Sequence, residues 1–591
     1  MDKKIKIVGI CGLALILILL GLVIFLLAER SVSYGEQSGA RSDTLAGSGG
    51  RDPADGLYSE EPPGEVQPDD VQPDESPQLS EELLLQREAE TARRRAEQEE
   101  FARASRELQE AMRAVNDLIS QGKALLERGD FAGAQKVFDE ARLRMPPGER
   151  RFEAQKLADM AEAWYDVFSR NPSSPEGADA AARAIALALE SIDFDNANAL
   201  PHFIQGKISR DRNEWENAII AFSEASRLDP GNSMYQYNLG RSYFSARRIA
   251  DARGAFENTV RLNPQFEAGW YNLGGTLRLL NRNDEALNAY RRAIAVKDDY
   301  FLAHREIGRI LLAKKDYNGA INAFANALKH NPGDLAPQYE LGILRELGAA
   351  QSEAGNYAAA EESFARALQQ APADAQTNYN MAVVKMALNK NAEAASFARH
   401  AAESSPSSAV YAYTLGLALE SVNDAAGAIA AYQRAILLDA QYLRPRINLG
   451  NLYLARDNFD EGINCLSEAF RIESANFEVN NNLGAVYAKM ERWSSSIEHY
   501  ERALAREPNH PIVHLNLARA YTGAGDLTKA QNSYQAVLRL NRDSWDALFE
   551  LGKTCVSLGM RDDARKYLVD LLQRNPSYSG RAEAERILGG L

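Results

Sequence analysis

Apolar and small residues recur along most of this chain with the spacing of amphipathic helices, and the pattern itself repeats every 34 residues. Residues 238–264 and 272–298 align without a gap, and we number each unit so that Gly240 and Gly274 stand at position 8. Small residues at positions 8 and 20 let two helix backbones approach, and an aromatic at position 24 fills the space between units. A proline at position 32, such as Pro264, ends the second helix. The pattern therefore predicts an all-α fold built from pairs of antiparallel helices.

The residues at positions 20 and 24 carry a family resemblance. In four consecutive units position 20 is alanine and position 24 is aromatic: Ala218, Ala252, Ala286 and Ala320, followed by Phe222, Phe256, Tyr290 and Phe324. Together with the Leu-Gly pair and the proline, this order resembles the tetratricopeptide repeat (TPR) family. The resemblance implies a TPR superhelical solenoid of about 12–13 helix-turn-helix repeats.

The repeat register divides the chain from residue 115 onward. We predict a first unit and a divergent unit over 115–198, four regular units over 199–334, seven units over 335–578, and a capping helix over 579–591. The first of the seven units has six surplus residues and two Leu-Gly pairs, which begin at Leu341 and Leu347. We expect a longer first helix there, and a local break in the superhelix.

The N-terminus predicts a membrane anchor. Residues 1–6 are basic, and residues 7–28 form an uncharged stretch of 22 residues. As a helix this stretch would measure about 33 Å, enough to cross the hydrocarbon core of a bilayer. It is longer than the apolar region of a signal peptide and lacks a small-x-small cleavage site, so we expect it to remain uncleaved. Lysines before the span place the N-terminus in the cytoplasm and the rest of the chain across the membrane.

Two polar segments separate this anchor from the repeats. Residues 29–78 contain 12 acidic and 3 basic residues among Gly, Ser and Pro, and therefore predict a disordered acidic linker. Such a tether is either a solvated spacer or an acidic binding segment for a basic partner. Residues 79–114 predict a charged spacer helix, because Glu and Arg recur at i,i+4 without an apolar seam.

Composition and motifs argue against most kinds of chemistry. The net charge of −15 does not fit a general nucleic-acid binder. Three cysteines cannot form a disulfide framework or a four-thiolate zinc site, and no HExxH motif is present. The phosphate-loop-like residues 551–554 lie within a helix and lack the first glycine of that motif. We predict that the protein is not an enzyme and needs no cofactor or metal.

A recurrent asparagine at position 6 is the first candidate for binding. By resemblance, the first helices line the concave face of the solenoid, with positions 2, 5, 6, 9, 12 and 13 directed inward. A primary amide donates and accepts hydrogen bonds together, so it can hold a peptide backbone, as in the asparagine ladder of TPR-containing glycosyltransferases. The alternative is an asparagine copied by duplication without a binding role. The predicted ladder is Asn238, Asn272, Asn380, Asn448, Asn482 and Asn516.

A basic set at positions 5, 9 and 12 is the second candidate. Arginine favours bidentate contacts with carboxylates, so these residues predict selection of acidic segments. The alternative is a solvated face whose cations pair with neighbouring Glu or Asp. The set is Lys207, Arg210, Arg241, Arg278, Arg305 and Arg309.

These features predict a membrane-anchored interaction scaffold or receptor that binds extended, acidic polypeptide segments in its groove. We place it in the bacterial inner membrane with the repeats in the periplasm. Two alternatives remain open: an import receptor that faces the cytosol, as in mitochondrial TPR receptors, and a structural spacer or oligomerisation element of an envelope assembly. Its predicted partners are other proteins and, through the N-terminal helix, the membrane, with no nucleic acid; homo-oligomerisation is left open.

Overall fold

The computed structural model describes residues 77–331 and 337–591, which contain 27 helices and no strand. The first ten are α1 (Pro77–Glu127), α2 (Phe131–Leu143), α3 (Arg150–Arg170), α4 (Pro175–Phe194), α5 (Ala199–Asp211), α6 (Trp215–Leu228), α7 (Ser233–Ser245), α8 (Ile249–Leu262), α9 (Glu267–Leu279) and α10 (Asn283–Val296).

The next nine helices continue the same alternation. They are α11 (Phe301–Ala313), α12 (Tyr317–His330), α13 (Pro337–Glu353), α14 (Tyr357–Gln370), α15 (Ala375–Ala387), α16 (Asn391–Ser404), α17 (Ala409–Ser421), α18 (Ala425–Leu438) and α19 (Leu443–Leu454). The last eight are α20 (Phe459–Ile472), α21 (Phe477–Lys489), α22 (Trp493–Arg506), α23 (Pro511–Gly523), α24 (Leu527–Leu540), α25 (Trp545–Ser557), α26 (Arg561–Arg574) and α27 (Arg581–Gly589).

From α5 onward, each odd-numbered helix through α25 packs against the helix that follows it, and that second helix packs against the first helix of the next unit. This is the packing of a helix-pair solenoid, and it confirms the all-α repeat architecture. The alanines at position 20 are fully buried between the paired helices. At position 8, a Cβ added to Gly240 would lie 2.7 Å from the Phe256 ring, so glycine there makes room for the aromatic at position 24.

A residue with positive φ ends the first helix of most units. In the turn between α9 and α10, Asn281 has φ 59°. Its amide donates to the Arg278 carbonyl at 2.9 Å, and the Arg282 amide donates to the Leu277 carbonyl at 2.9 Å. These two bonds form a Schellman motif, which satisfies carbonyls at the end of the first helix. The motif therefore reverses the chain within two or three residues.

The unit with two Leu-Gly pairs has one packing register. A Cβ on Gly348 would lie 2.6 Å from the Phe364 ring, so Gly348 occupies position 8. A Cβ on Gly342 would instead lie 2.5 Å from Nη2 of Arg305. The first helix of this unit, α13, has 17 residues where α11 has 13. The second Leu-Gly pair thus occupies positions 7 and 8 of the repeat, and the additional turn of helix, residues 337–340, precedes the first pair.

Residues 99–591 form one compact unit. The segment predicted as a spacer, 79–114, lies entirely within α1. The side chains of residues 84–104 are exposed, whereas Val115 is fully buried. The helix that contains the predicted spacer therefore extends to Glu127. The divergent region forms α3 and α4, which have 21 and 20 residues.

The predicted anchor (7–28) and almost all of the predicted linker (29–78) lie outside the described residues. Among the helices of the described part, none combines the length and the apolar character needed to cross a bilayer.

Candidate peptide-binding face

The predicted site residues all lie on first helices. We use the term first-helix face for the side chains at positions 2, 5, 6, 9, 12 and 13 of the first helices from α5 to α25. Its N-terminal half comprises α5, α7, α9, α11 and α13, and its C-terminal half comprises α15, α17, α19, α21, α23 and α25. The two halves differ in what their polar groups contact.

In the N-terminal half, the two predicted asparagines are buried and bonded within the protein. Asn238 is 4% exposed, and its Nδ2 donates to the Met234 carbonyl at 2.9 Å while its Oδ1 accepts from Nη1 of Arg210 at 2.7 Å. Asn272 is 8% exposed and donates to the Ala268 carbonyl at 2.8 Å and to the Tyr237 hydroxyl at 3.2 Å. Because Arg210 and Tyr237 belong to the preceding unit, each asparagine connects two consecutive repeats.

In the C-terminal half, the predicted asparagines are half-buried and less tightly bonded. Asn448 lies 3.4 Å from the Tyr413 hydroxyl and 3.5 Å from the Tyr432 hydroxyl, both at the limit of hydrogen-bond length. Asn380 accepts a bond of 3.1 Å from the neighbouring Gln376 amide. These side chains therefore keep donor or acceptor capacity.

Asn482 and Asn516 are also half-buried. Asn482 bonds two other asparagines: its Nδ2 donates to Asn451 at 2.8 Å, and its Oδ1 accepts from Asn481 at 3.2 Å. Asn516 is a hydrogen-bond partner of the Tyr500 hydroxyl. Burial raises the pKa of Tyr500 to about 12, and the bond from Asn516 opposes that rise.

Three of the predicted basic residues meet in one network with two glutamates. Arg305 donates from Nε and Nη2 to the Glu346 carboxylate at 2.8 and 3.0 Å. Arg309 donates to the same carboxylate at 2.9 and 2.6 Å and to Glu306 at 2.5 Å. Nε of Arg278 lies 3.3 Å from Glu306 Oε2 as an ion pair without hydrogen-bond alignment. Three guanidinium groups thus face two carboxylates in a site that is partly shielded from solvent.

The network shifts the pKa of each glutamate. Burial would raise the pKa of Glu346, but the charges of Arg309 and Arg305 and their hydrogen bonds lower it to about 2. Burial acts in the same direction on Glu306, and Arg309, Arg278 and Arg305 together hold its pKa below the ordinary value. Both carboxylates are therefore ionised at neutral pH, and the network carries one net positive charge.

The other three basic residues lie nearer the start of the face. Lys207 forms an ion pair of 3.3 Å with Glu162 and lies 4.0 Å from the Tyr165 ring centroid. Arg210 pairs with Asp211 at 2.8 Å and contacts the Tyr165 hydroxyl at 3.3 Å. The guanidinium carbon of Arg241 lies 5.7 Å from the Tyr237 ring centroid. Lys207 and Arg210 thus have counterions or aromatic partners within the chain.

Sequence reasoning missed the residues that neutralise this face. Glu306 and Glu346 both occupy position 6, where six of the other nine units carry asparagine. Glutamate stands at this position in the unit of Arg305 and Arg309 and in the unit that follows it, and this was the available signal. Glu162 and Tyr165 lie in the divergent helix α3, which carries no clear repeat register. The partners that these two residues provide, Glu162 to Lys207 and Tyr165 to Arg210, were therefore harder to find.

No group of three or more metal-ligating side chains occurs within residues 77–331 and 337–591. Cys465 is half-buried, and burial raises the pKa of its thiol to about 11. Cys555 is buried, and burial also raises its pKa. Both thiols are therefore protonated at neutral pH and poorly suited to nucleophilic chemistry.

Protein-family models match several parts of the repeat region. Models described as tetratricopeptide repeat match residues 237–300, 277–340 and 305–375, residues 352–416 and 521–584, and residues 475–543. The chain belongs to the TPR family. Proteins of this family serve as protein–protein interaction scaffolds.

Curated relatives share short stretches of this TPR chain. Anaphase-promoting complex subunit 3 of Schizosaccharomyces pombe is 25% identical over 162 residues, which are 27% of this chain and 24% of the relative. The peroxisomal targeting signal receptor of Saccharomyces cerevisiae is 31% identical over 93 residues, or 16% of this chain and 15% of the relative. The chain therefore spans a quarter or less of the length of these two relatives.

Two solved structures are similar to parts of this chain at low identity. The APC/C hetero-tetramer Cut9–Hcn1 is 14% identical with a TM-score of 0.32, and covers 73% of this chain and 96% of its own. YrrB, described as a TPR protein with an unusual peptide-binding site, is 21% identical with a TM-score of 0.29, and covers 32% of this chain and 95% of its own.

Proposed function

We propose that this TPR protein is a membrane-anchored interaction scaffold that binds extended polypeptide segments along its first-helix face. The proposal places the anchor at residues 7–28 in a bacterial inner membrane and the repeats in the periplasm. Its mechanism is binding without catalysis. Side-chain amides hold the backbone of the partner, and cations on the same face favour acidic side chains.

The observation that carries the proposal is the set of half-buried amides at position 6 in the C-terminal half. Asn448, Asn482 and Asn516 stand at the same position of three consecutive units. Amides at a fixed repeat spacing can meet successive backbone groups of one extended chain, whatever its side chains are.

The preference for acidic segments rests on charge in the N-terminal half. Arg278, Arg305 and Arg309 exceed Glu306 and Glu346 by one positive charge. Arg278 is the member whose Nε lacks an aligned hydrogen bond. A carboxylate of a bound segment would compensate the excess, so Arg278→Gln should reduce the preference for Asp-rich over neutral peptides.

Peptide arrays test the binding function directly. The full chain in mild detergent would be applied to arrayed twelve-residue peptides of neutral, acidic and basic composition. Asn448→Ala with Asn482→Ala should lower the signal on peptides that bind the wild type. The matched control replaces Asn322 and Asn326, exposed asparagines on the second helix α12. Equal signals from both double variants would contradict the proposal.

One observation favours a second candidate, a cytosol-facing import receptor. The stretch of 93 residues shared with a peroxisomal targeting signal receptor is 31% identical. A topology reporter fused after Leu591 separates the two candidates. A periplasmic reporter supports the first, and a cytosolic reporter supports the second.

A further inference from the structure

We infer that Asn451, Asn482 and Asn481 form one hydrogen-bonded amide chain whose two ends bind the backbone of an extended, uncharged polypeptide segment. This inference rests on the proposed peptide-binding function and assigns it a specific site. Asn451 lies on α19, and the other two lie on α21, the first helix of the following unit. The site therefore spans two consecutive repeats, and two of its three residues lie outside the predicted ladder.

The amide chain has a direction, because each bond has one donor and one acceptor. Nδ2 of Asn481 donates to Oδ1 of Asn482 at 3.2 Å, and Nδ2 of Asn482 donates to Oδ1 of Asn451 at 2.8 Å. No further side-chain hydrogen bond of Asn451 or Asn481 is found in the described part of the protein. Nδ2 of Asn451 thus remains as a donor at one end, and Oδ1 of Asn481 remains as an acceptor at the other.

This arrangement does not depend on how each amide is oriented. Reversing all three amides reverses the direction of both bonds, and the ends again present one donor and one acceptor. The middle residue, Asn482, has a partner on both amide atoms in either orientation. A peptide backbone offers one carbonyl acceptor and one N–H donor per residue, which match the two ends.

The surroundings favour an uncharged ligand. Arg444 and Glu478 occupy position 2 of the same two units and pair with each other at 3.1 Å, so they contribute no net charge. Asn448, one helical turn before Asn451, adds another amide to the face. Ala485 takes the place of Asn451 in the next unit and is exposed. The amide chain therefore lies among neutral or neutralised groups, in contrast with the arginine network.

The amide chain also explains why its three asparagines differ from the asparagines of the N-terminal half. Asn238 and Asn272 donate to carbonyls of their own helix, which leaves the amide committed to the protein. The three asparagines of the amide chain instead bond one another, so that one donor and one acceptor remain available at its two ends. Hydrogen bonds in a connected chain polarise one another, so each bond becomes stronger when a ligand adds a further donor or acceptor at an end.

The experiment measures fluorescence anisotropy with the full chain in mild detergent. The probes are a labelled twelve-residue peptide of alternating Thr and Ser, the same peptide with alternate backbone nitrogens methylated, and a version with Asp at every third residue. Asn451→Asp keeps an acceptor for Asn482 and removes the donor at the end of the chain. Asn481→Ala removes the acceptor end. Asn464→Asp is the matched control, because it makes the same substitution at an exposed position of the second helix α20, outside the first-helix face.

We expect Asn451→Asp and Asn481→Ala each to weaken binding of the unmethylated neutral peptide about fivefold, the usual size of one lost hydrogen bond. Asn464→Asp should leave that affinity unchanged, and the methylated peptide should bind the wild type more weakly. Circular dichroism of each variant verifies folding, and Asn451→Ser supplies a second, smaller donor variant that should retain part of the affinity.

Two results would overturn the inference in different ways. If the wild type binds the neutral peptide and both chain-end variants bind it equally well, the amide chain is not the site, while the proposed function stands. If the wild type binds neither the neutral nor the acidic peptide, both the inference and the proposed function fail.

Discussion

The two halves of the first-helix face use the same repeat positions for opposite purposes. In the N-terminal half, position 6 holds buried Asn238 and Asn272 and then Glu306 and Glu346, whose polar atoms contact neighbouring repeats. In the C-terminal half, four of the six units carry a half-buried asparagine at position 6, and those of Asn448 and Asn482 have long bonds or bonds to other amides. The same residue type can therefore join repeats or remain open to a ligand, and the difference lies in what the preceding unit places beside it.

The largest effect is expected from a variant that removes a buried ion pair from the N-terminal half. Glu346→Gln removes the carboxylate that Arg305 and Arg309 share, and Arg305 is 4% exposed. A buried cation without its partner costs about 3–5 kcal/mol, so this variant should unfold at a markedly lower urea concentration. The control is Glu478→Gln in the C-terminal half, where the Arg444 pair is exposed and contributes about 0–1 kcal/mol. Similar losses in the two variants would contradict the difference between the halves.

Acid should loosen the N-terminal half through the same glutamate. The pKa of Glu346 is about 2 when folded and 4.5 ordinarily, so its contribution is fully present above about pH 4.5 and is lost as the pH falls towards 2. Over that window the linked loss is about 3 kcal/mol. Hydrogen exchange of amides in α11 and α13 between pH 5 and pH 2.5 measures it. The Glu346→Gln variant should show a weaker pH dependence in these helices, and an unchanged one would argue against this carboxylate.

The sequence predicts those interactions that recur with the repeat, and it does not predict those that occur only once. Gly240 and Phe256 stand 16 residues apart in one unit, and so do Gly348 and Phe364, so the packing of paired helices is encoded locally. The burial of Asn238 depends instead on Arg210 of another unit. Position in a repeat predicts which way a side chain points, but it does not predict which partner meets it there.

The arginine network shows the same limit for charge. The sequence predicts that Arg305 and Arg309 face a ligand, and in the structure both pair with Glu346. Glu346 reaches them from the next unit, across the six surplus residues, and Gly342 makes room for Arg305. An irregular insertion interrupts the repeat register, so the approach of these groups could not be inferred from spacing.

A matched pair of asparagines gives an intermediate effect. Asn272→Ala removes bonds of 2.8 and 3.2 Å from a buried amide, and should lower the free energy of unfolding by about 1–2 kcal/mol. Asn448→Ala removes bonds of 3.4 and 3.5 Å from a half-buried amide, and should lower it by about 0.5 kcal/mol. Peptide affinity should respond in the opposite order. Urea unfolding and anisotropy on the same two variants test both parts, and a parallel ranking would refute the division of roles.

The smallest expected effect concerns the backbone, in which the two halves should not differ. Lys315 in the N-terminal half has φ 62°, and Glu491 in the C-terminal half has φ 57°. A side chain with a Cβ is strained in this left-handed region, so Lys315→Gly and Glu491→Gly should each raise the free energy of unfolding by about 0.5–1 kcal/mol. Thermal unfolding of the two variants should show upward shifts of similar size. Because the turns are alike, unequal shifts would indicate that the halves differ in their backbone and not only in the side chains of the first-helix face.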